Sequence, residues 1–334
     1  RFKVLNNLSL IWENEKELFW KIVTDRSLYE TDYFNLTILI QNIYRSEILK
    51  ESLPDVERTF KEISDRTNEF KSRDTFTEVY SRTLLHLFDY YKSEVAKKII
   101  YSNLDNTYFL KGLLFVLFDF IDPKYPENDY SKKGTLKNLL QLLDEVVEKI
   151  LMEYKEIKIT EITEESKEKE LIGIIDSIIQ RIYFNLAIND RIIKKGDLIP
   201  TDTNRLNYFI TMMPTIDSIV SASENLGHLI GHTAHYLMET LNGMLALGLD
   251  RQTVGWILNI AARTVQISKE SGYGFDYHSI EEVVKLTEAI LADHKELLRE
   301  KKGLEELVKM LKVYVELGWP QASTLLWKLD EAFR

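Results

Sequence analysis

Residues 223–247 read SENLGHLIGHTAHYLMETLNGMLAL. Leu226, Ile230, Ala234, Leu237 and Met238 recur at the spacing of one apolar helix face. On the other side stand Glu224, His228, His232, His235 and Glu239. At about 100° per residue these five share an arc of roughly 80°. The chain holds six histidines, and three of them fall in this stretch. The spacing predicts one continuous helix over 223–247 with a Glu/His ladder along it.

Working outward, the same i, i+3, i+4, i+7 recurrence runs through nearly every long stretch. Helices are expected at about 6–25, 30–52, 54–71, 75–102, 105–121, 135–159, 161–193, 204–221, 223–247, 250–270, 279–300, 303–317 and 320–333. Six prolines and thirteen glycines are too few for the turns of an all-β fold. The expectation is therefore an all-α protein of about a dozen antiparallel helices. They form either a helical-hairpin array or two helical subdomains, 1–195 and 204–334, meeting at the loop 194–203 (KKGDLIPTDT). A second loop is expected at 122–134 (DPKYPENDYSKKG) and a third at 271–278 (SGYGFDYH).

Local chemistry supports several boundaries. Asp250 suits an N-cap, and Ser279 with Glu282 fits a capping box. Gly248, Gly303 and Gly318 are expected helix stops. Pro214 is expected to kink or split its helix.

Composition narrows the function classes. The 334 residues are 45% hydrophobic and 29% charged, a globular balance, with a net charge of −10. That acidity argues against a nucleic-acid footprint and against an anionic membrane surface. There is no cysteine, which removes disulfides, thiolate catalysis and zinc fingers and makes the cytoplasm the natural home. The longest apolar run, 113–118, is far below the ~18 residues of a membrane span. The chain opens at Arg1 rather than Met, so an upstream segment is expected. No nucleophile elbow, Walker loop or dinucleotide fingerprint occurs.

Four candidate sites remain. The first is the ladder. His228 and His232, one turn apart, suit Zn²⁺ or Fe²⁺, with His235, Glu224 or Glu239 as further ligands. A second segment must then contribute, with Asp276, His278, Asp293 and His294 nearest in sequence. No H-E-x-x-H or Glu-x-x-His pattern accompanies them. The plainer reading is a solvated or partner-facing polar stripe. The second candidate is 271–278, whose Tyr273, Phe275 and Tyr277 alternate with small residues beside His278, a contact surface for a ligand or partner. The third is two polar stripes in apolar helices, Arg82/His86/Asp89 and Asp176/Gln180/Tyr183, which must pair if buried. The fourth is the cluster Lys132, Lys133 and Lys137, read as surface.

The leading function is a helical protein-interaction or regulatory module, acting on a protein partner or a second copy of itself. The alternatives are a metal-dependent enzyme or metal sensor built on the ladder, and a cytosolic domain cut from a membrane protein.

Overall fold

The computed structural model describes residues 5, 7–66, 74–125, 127–130, 136–157, 167–186, 200–229, 231–245, 247–270 and 277–333. Among these residues the protein is all-α, with 17 helices and no strand. No helix among them is long and apolar enough to cross a membrane.

Packing divides the chain into two compact units, Arg1–Ile121 with Asn138–Leu143, and Asp122–Lys137 with Asp144–Arg334. The subdomain boundary expected from sequence falls mostly on 187–199, outside the described residues.

The first unit contains α1 (Leu8–Asn14), α2 (Lys16–Tyr29), α3 (Tyr33–Ile43), α4 (Ser46–Glu51), α5 (Leu53–Ser64), α6 (Asp74–Asp89), α7 (Glu94–Ser102) and α8 (Thr107–Phe120). Helices two or three apart in sequence pack together: α2 on α5 and α5 on α7 in one row, α3 on α6 and α6 on α8 in the other. Buried Phe60, Phe76 and Tyr80 stack between the rows, with the Tyr80 hydroxyl donating to the Phe60 carbonyl at 3.2 Å. The expected helix 75–102 is two helices, because Lys92 adopts a positive φ of 54° and Ser93 caps α7 by accepting from the Ala96 amide.

The second unit continues with α9 (Lys137–Lys155, of which Asn138–Leu143 belong to the first unit), α10 (Lys167–Leu186), α11 (Pro200–Leu226), α12 (Gly231–Leu245), α13 (Arg251–Glu270), α14 (Tyr277–Asp293), α15 (Lys295–Leu298), α16 (Lys301–Glu316) and α17 (Gln321–Phe333). Here the alternation is clear. One layer runs α10, α12, α14, α17, and the other runs α11, α13, α16. Neighbours α10/α11 and α12/α13 also pair across the layers. Each hairpin alone would expose an apolar face, and stacking buries it against the next.

The helix expected over 223–247 is not continuous. Gly227 takes φ +65°. Its amide donates to the Glu224 carbonyl, and the His228 amide donates to the Ser223 carbonyl, both at 3.1 Å. These two bonds and a left-handed glycine make a Schellman end, which satisfies the last carbonyls of α11 and turns the chain. A new helix begins at Gly231. The apolar periodicity crosses this corner because the residues on both sides of it face the same core.

Other boundary expectations divide. Asp250 caps α13 by accepting from the amides of Gln252 (2.8 Å) and Thr253 (3.0 Å). Gly248 and Gly318 follow helices with positive φ. Gly303 is no stop; it lies in the first turn of α16, where the Leu297 carbonyl leaves no room for a side chain. Ser279 is not an N-cap, since Tyr277 and His278 before it are already helical. Helix α14 starts two residues earlier, and Glu282 instead accepts from Asn242 at 2.7 Å and from Lys285 at 2.8 Å. Pro214 does not split α11. Pro214 and Ile210, one turn back, are both exposed, so the carbonyl that loses its donor is on the wet side.

Candidate functional site

The corner at Gly227 distributes the ladder among three environments. Glu224 lies in the last turn of α11 and pairs with Arg263 of α13, whose guanidinium also reaches Asp217 (2.8 Å) and Ser221 (2.6 Å). Three acceptors at i, i+4 and i+7 of α11 thus hold one arginine from the next helix of the same layer.

His228 sits in the connection and is buried. Burial holds its imidazole below the usual histidine pKa, so it favours the neutral form. Its backbone carbonyl accepts from the buried Tyr154 hydroxyl of α9 at 3.3 Å.

His232, His235 and Glu239 remain together on α12. The His232 side chain is 52% exposed, and its Nδ1 lies 3.3 Å from Asp176 Oδ2 on α10. The other oxygen of Asp176 accepts from the Thr233 hydroxyl at 2.7 Å. The Tyr236 ring meets His232 edge-on at 4.5 Å and Tyr183 at 4.8 Å. Phe184, 51% exposed, lies 5.8 Å from Tyr236. His235 Nε2 is 3.7 Å from Glu239. Burial first, and then the Glu239 carboxylate, push the Tyr183 hydroxyl well above its ordinary pKa, so it stays protonated.

Two stripes read separately from sequence, the α12 ladder and Asp176/Tyr183, therefore meet across one layer of the second unit. The resulting face is α10–α12–α14, with Asn242 and Glu282 joining α12 to α14. Among the described residues, no three His, Cys, Asp or Glu side chains converge in a way that would hold a metal ion. Glu224, His228 and His232 in particular do not share a helix face.

Chemically, the Asp176 carboxylate engages the half-exposed His232 ring at Nδ1 and leaves Nε2 out of that contact. A hydrolytic triad would need a hydroxyl at that nitrogen. The hydroxyl of Thr233, next in sequence, is committed to Asp176. The arrangement is instead a fixed imidazole with the Tyr236 ring beside it and Phe184 beyond that ring, a partly exposed contact patch.

Of the second candidate, Tyr273 and Phe275 lie outside the described residues, as does Asp276, while Tyr277 and His278 open α14. Asp293 closes α14 and His294 precedes α15. Lys132 and Lys133 lie outside the described residues; Lys137 starts α9 and is exposed.

The other polar stripe belongs to the first unit. Arg82 pairs with Asp119 at 2.7 Å. His86 is boxed by Tyr44, Tyr90 and Tyr91, with ring centroids 5.3–5.4 Å away. Its Nδ1 is buried with no hydrogen-bond partner, and burial depresses its pKa, while Asp89 opposes that shift.

Sequence reasoning missed Thr233, Tyr236, Phe184 and Arg263. Only the 217/221/224 stripe carried a signal, a set of acceptors awaiting a cation that nothing local identified. No protein-family model, curated protein or solved structure matches this chain.

Proposed function

We propose that the chain is a cytoplasmic helical-hairpin scaffold that works by binding another protein, and that the α10–α12–α14 face is its docking surface. One observation carries the reading. His232, Tyr236 and Phe184 form a partly exposed patch whose imidazole is anchored by Asp176 and whose rings brace one another. Aromatic groups ordered before binding lose little entropy on contact, which is the character of interface hot spots. Stacked hairpins supply the broad, rigid backing such a surface needs.

The test is a photo-crosslinker placed at Phe184 or, as control, at exposed Lys302 in the other layer, followed by binding measurements with the purified protein it captures. His232→Ala and Phe184→Ala should each weaken that complex by about tenfold, on the order of 1–2 kcal/mol. Each should leave the far-ultraviolet circular dichroism unchanged. A complex equally tight with both variants overturns the assignment of this face. His228 is unsuited to the test, because it is buried and its loss would disturb the fold.

A further inference from the structure

We infer that the cleft between α13 and the α15–α16 corner, in the other layer, binds the pyranose ring of a neutral sugar. The cavity holds about 580 Å³. That lies within the roughly 300–1,000 Å³ typical of small-ligand sites. The inference goes beyond the docking face proposed above and does not depend on it.

Charge does not choose the ligand here. Arg251 is held by the Glu300 carboxylate and the Glu296 carbonyl. Glu306 accepts from Lys309 through Oε1 at 3.0 Å, and its Oε2 is closed to solvent with no donor. Neither carboxylate of the lining is open to a cation. The cations of the lining, Arg251 and Lys302, balance these two carboxylates. Lys302 is exposed and makes no ion pair among the described residues. A single solvated ammonium is a weak anchor for an anion.

What remains is neutral and hydrogen-bonding. Gln252, Trp256 and Asn259 line the cleft from α13 at i, i+4 and i+7, one helix face. Among the described residues none of these three side chains makes a hydrogen bond. Each amide offers a donor and an acceptor, and the indole offers its N–H. A hydroxyl also donates and accepts, so it uses both halves of an amide, whereas an ion uses one. Trp256 meets the buried Phe209 ring at 5.9 Å and 76°, which steadies the indole. Trp256 and Leu297 are the apolar side chains of the lining. A nucleobase buries best between two apolar faces. A pyranose needs one aromatic wall for its C–H face and polar groups around its hydroxyl rim. The cleft has that second form.

The test is isothermal titration of the full chain with maltotriose, cellotriose, mannotriose and triacetylchitotriose. At least one should bind saturably. For that sugar Trp256→Leu and Asn259→Ala should each weaken binding by about tenfold or more, and Lys302→Ala should change it by less than about twofold. Gln252→Ala should weaken it severalfold. If Trp256→Leu does not fold by circular dichroism, the two amide variants carry the same expectation. The inference is overturned if none of the sugars binds saturably up to roughly 10 mM. It is also overturned if the Trp256, Asn259 and Gln252 variants bind as the parent does, if Lys302→Ala abolishes binding, or if adenosine or inorganic phosphate binds and the sugars do not.

Discussion

Replacing Gly303 by alanine sets two known effects against each other, and the structure says which wins. Gly303 lies in the first turn of α16. Intrinsic propensity favours alanine over glycine within a helix by about 1 kcal/mol. Against this, a Cβ would stand 2.4 Å from the Leu297 carbonyl oxygen and 3.1 Å from both the Leu297 carbonyl carbon and Cγ. The obstructing atoms include backbone, so no rotamer change relieves them; α15 or its turn must move. Overpacking of this kind costs about 1–3 kcal/mol, and more where the obstacle is rigid. The net expectation is destabilisation of about 1–2 kcal/mol. Gly173, in α10, has nothing within 4 Å of its added Cβ. Alanine there should stabilise by about 0.5–1 kcal/mol. Urea unfolding followed by circular dichroism should move the two midpoints in opposite directions at unchanged slope. If Gly303→Ala is as stable as Gly173→Ala, the close contact between α15 and α16 is not as described and the reasoning fails.

Three further outcomes follow from the same structure. Gly227→Ala has open space but must hold φ +65°, so it should cost about 1–2 kcal/mol, readable as a lowered urea midpoint; no loss would mean the corner is not left-handed. Arg263→Ala strands Asp217 and Glu224, which are about half exposed; the loss should be about 1–2 kcal/mol in the same assay rather than the larger cost of a fully buried pair, and a neutral result would discount the α11–α13 clamp. Acid should weaken the fold through His86 and His228. Burial depresses both folded-state pKa values, so the unfolded chain takes up protons first as pH falls. Their contribution is full above about pH 6.5 and is lost as pH falls through the folded-state values. Thermal unfolding between about pH 5 and 8 should show a shallower decline for His228→Asn than for the parent, and parallel curves would refute this.

Much of the helical content was legible because one apolar face every 3.6 residues is a local property of the chain. Asp250 was legible as a cap for the same reason: its partners, the amides of Gln252 and Thr253, are two and three residues away. The candidate site was legible only in pieces. Asp176 stood out as a polar residue among isoleucines, and His232 as one rung of a ladder, yet 56 residues separate them and nothing in either segment specifies the other. Glu224 looked like a ligand of the same face until Arg263, 39 residues away, claimed it. Pro214 looked like a break, but whether a proline breaks a helix depends on which side of it meets water, a fact set by packing.

The amino-acid order alone determined that this chain is helical, because periodicity, the scarcity of proline and glycine, and local caps all act over a few residues. It did not determine whether 223–247 is one rod or two, since apolar spacing persists through a corner when both arms cover the same core. Tertiary structure decided that, along with which imidazole is buried, which is held by Asp176, and where a carboxylate oxygen of Glu306 is left without a donor. Those outcomes depend on side chains brought together from distant helices, and stacking energy between layers rather than any short stretch of sequence selects such encounters.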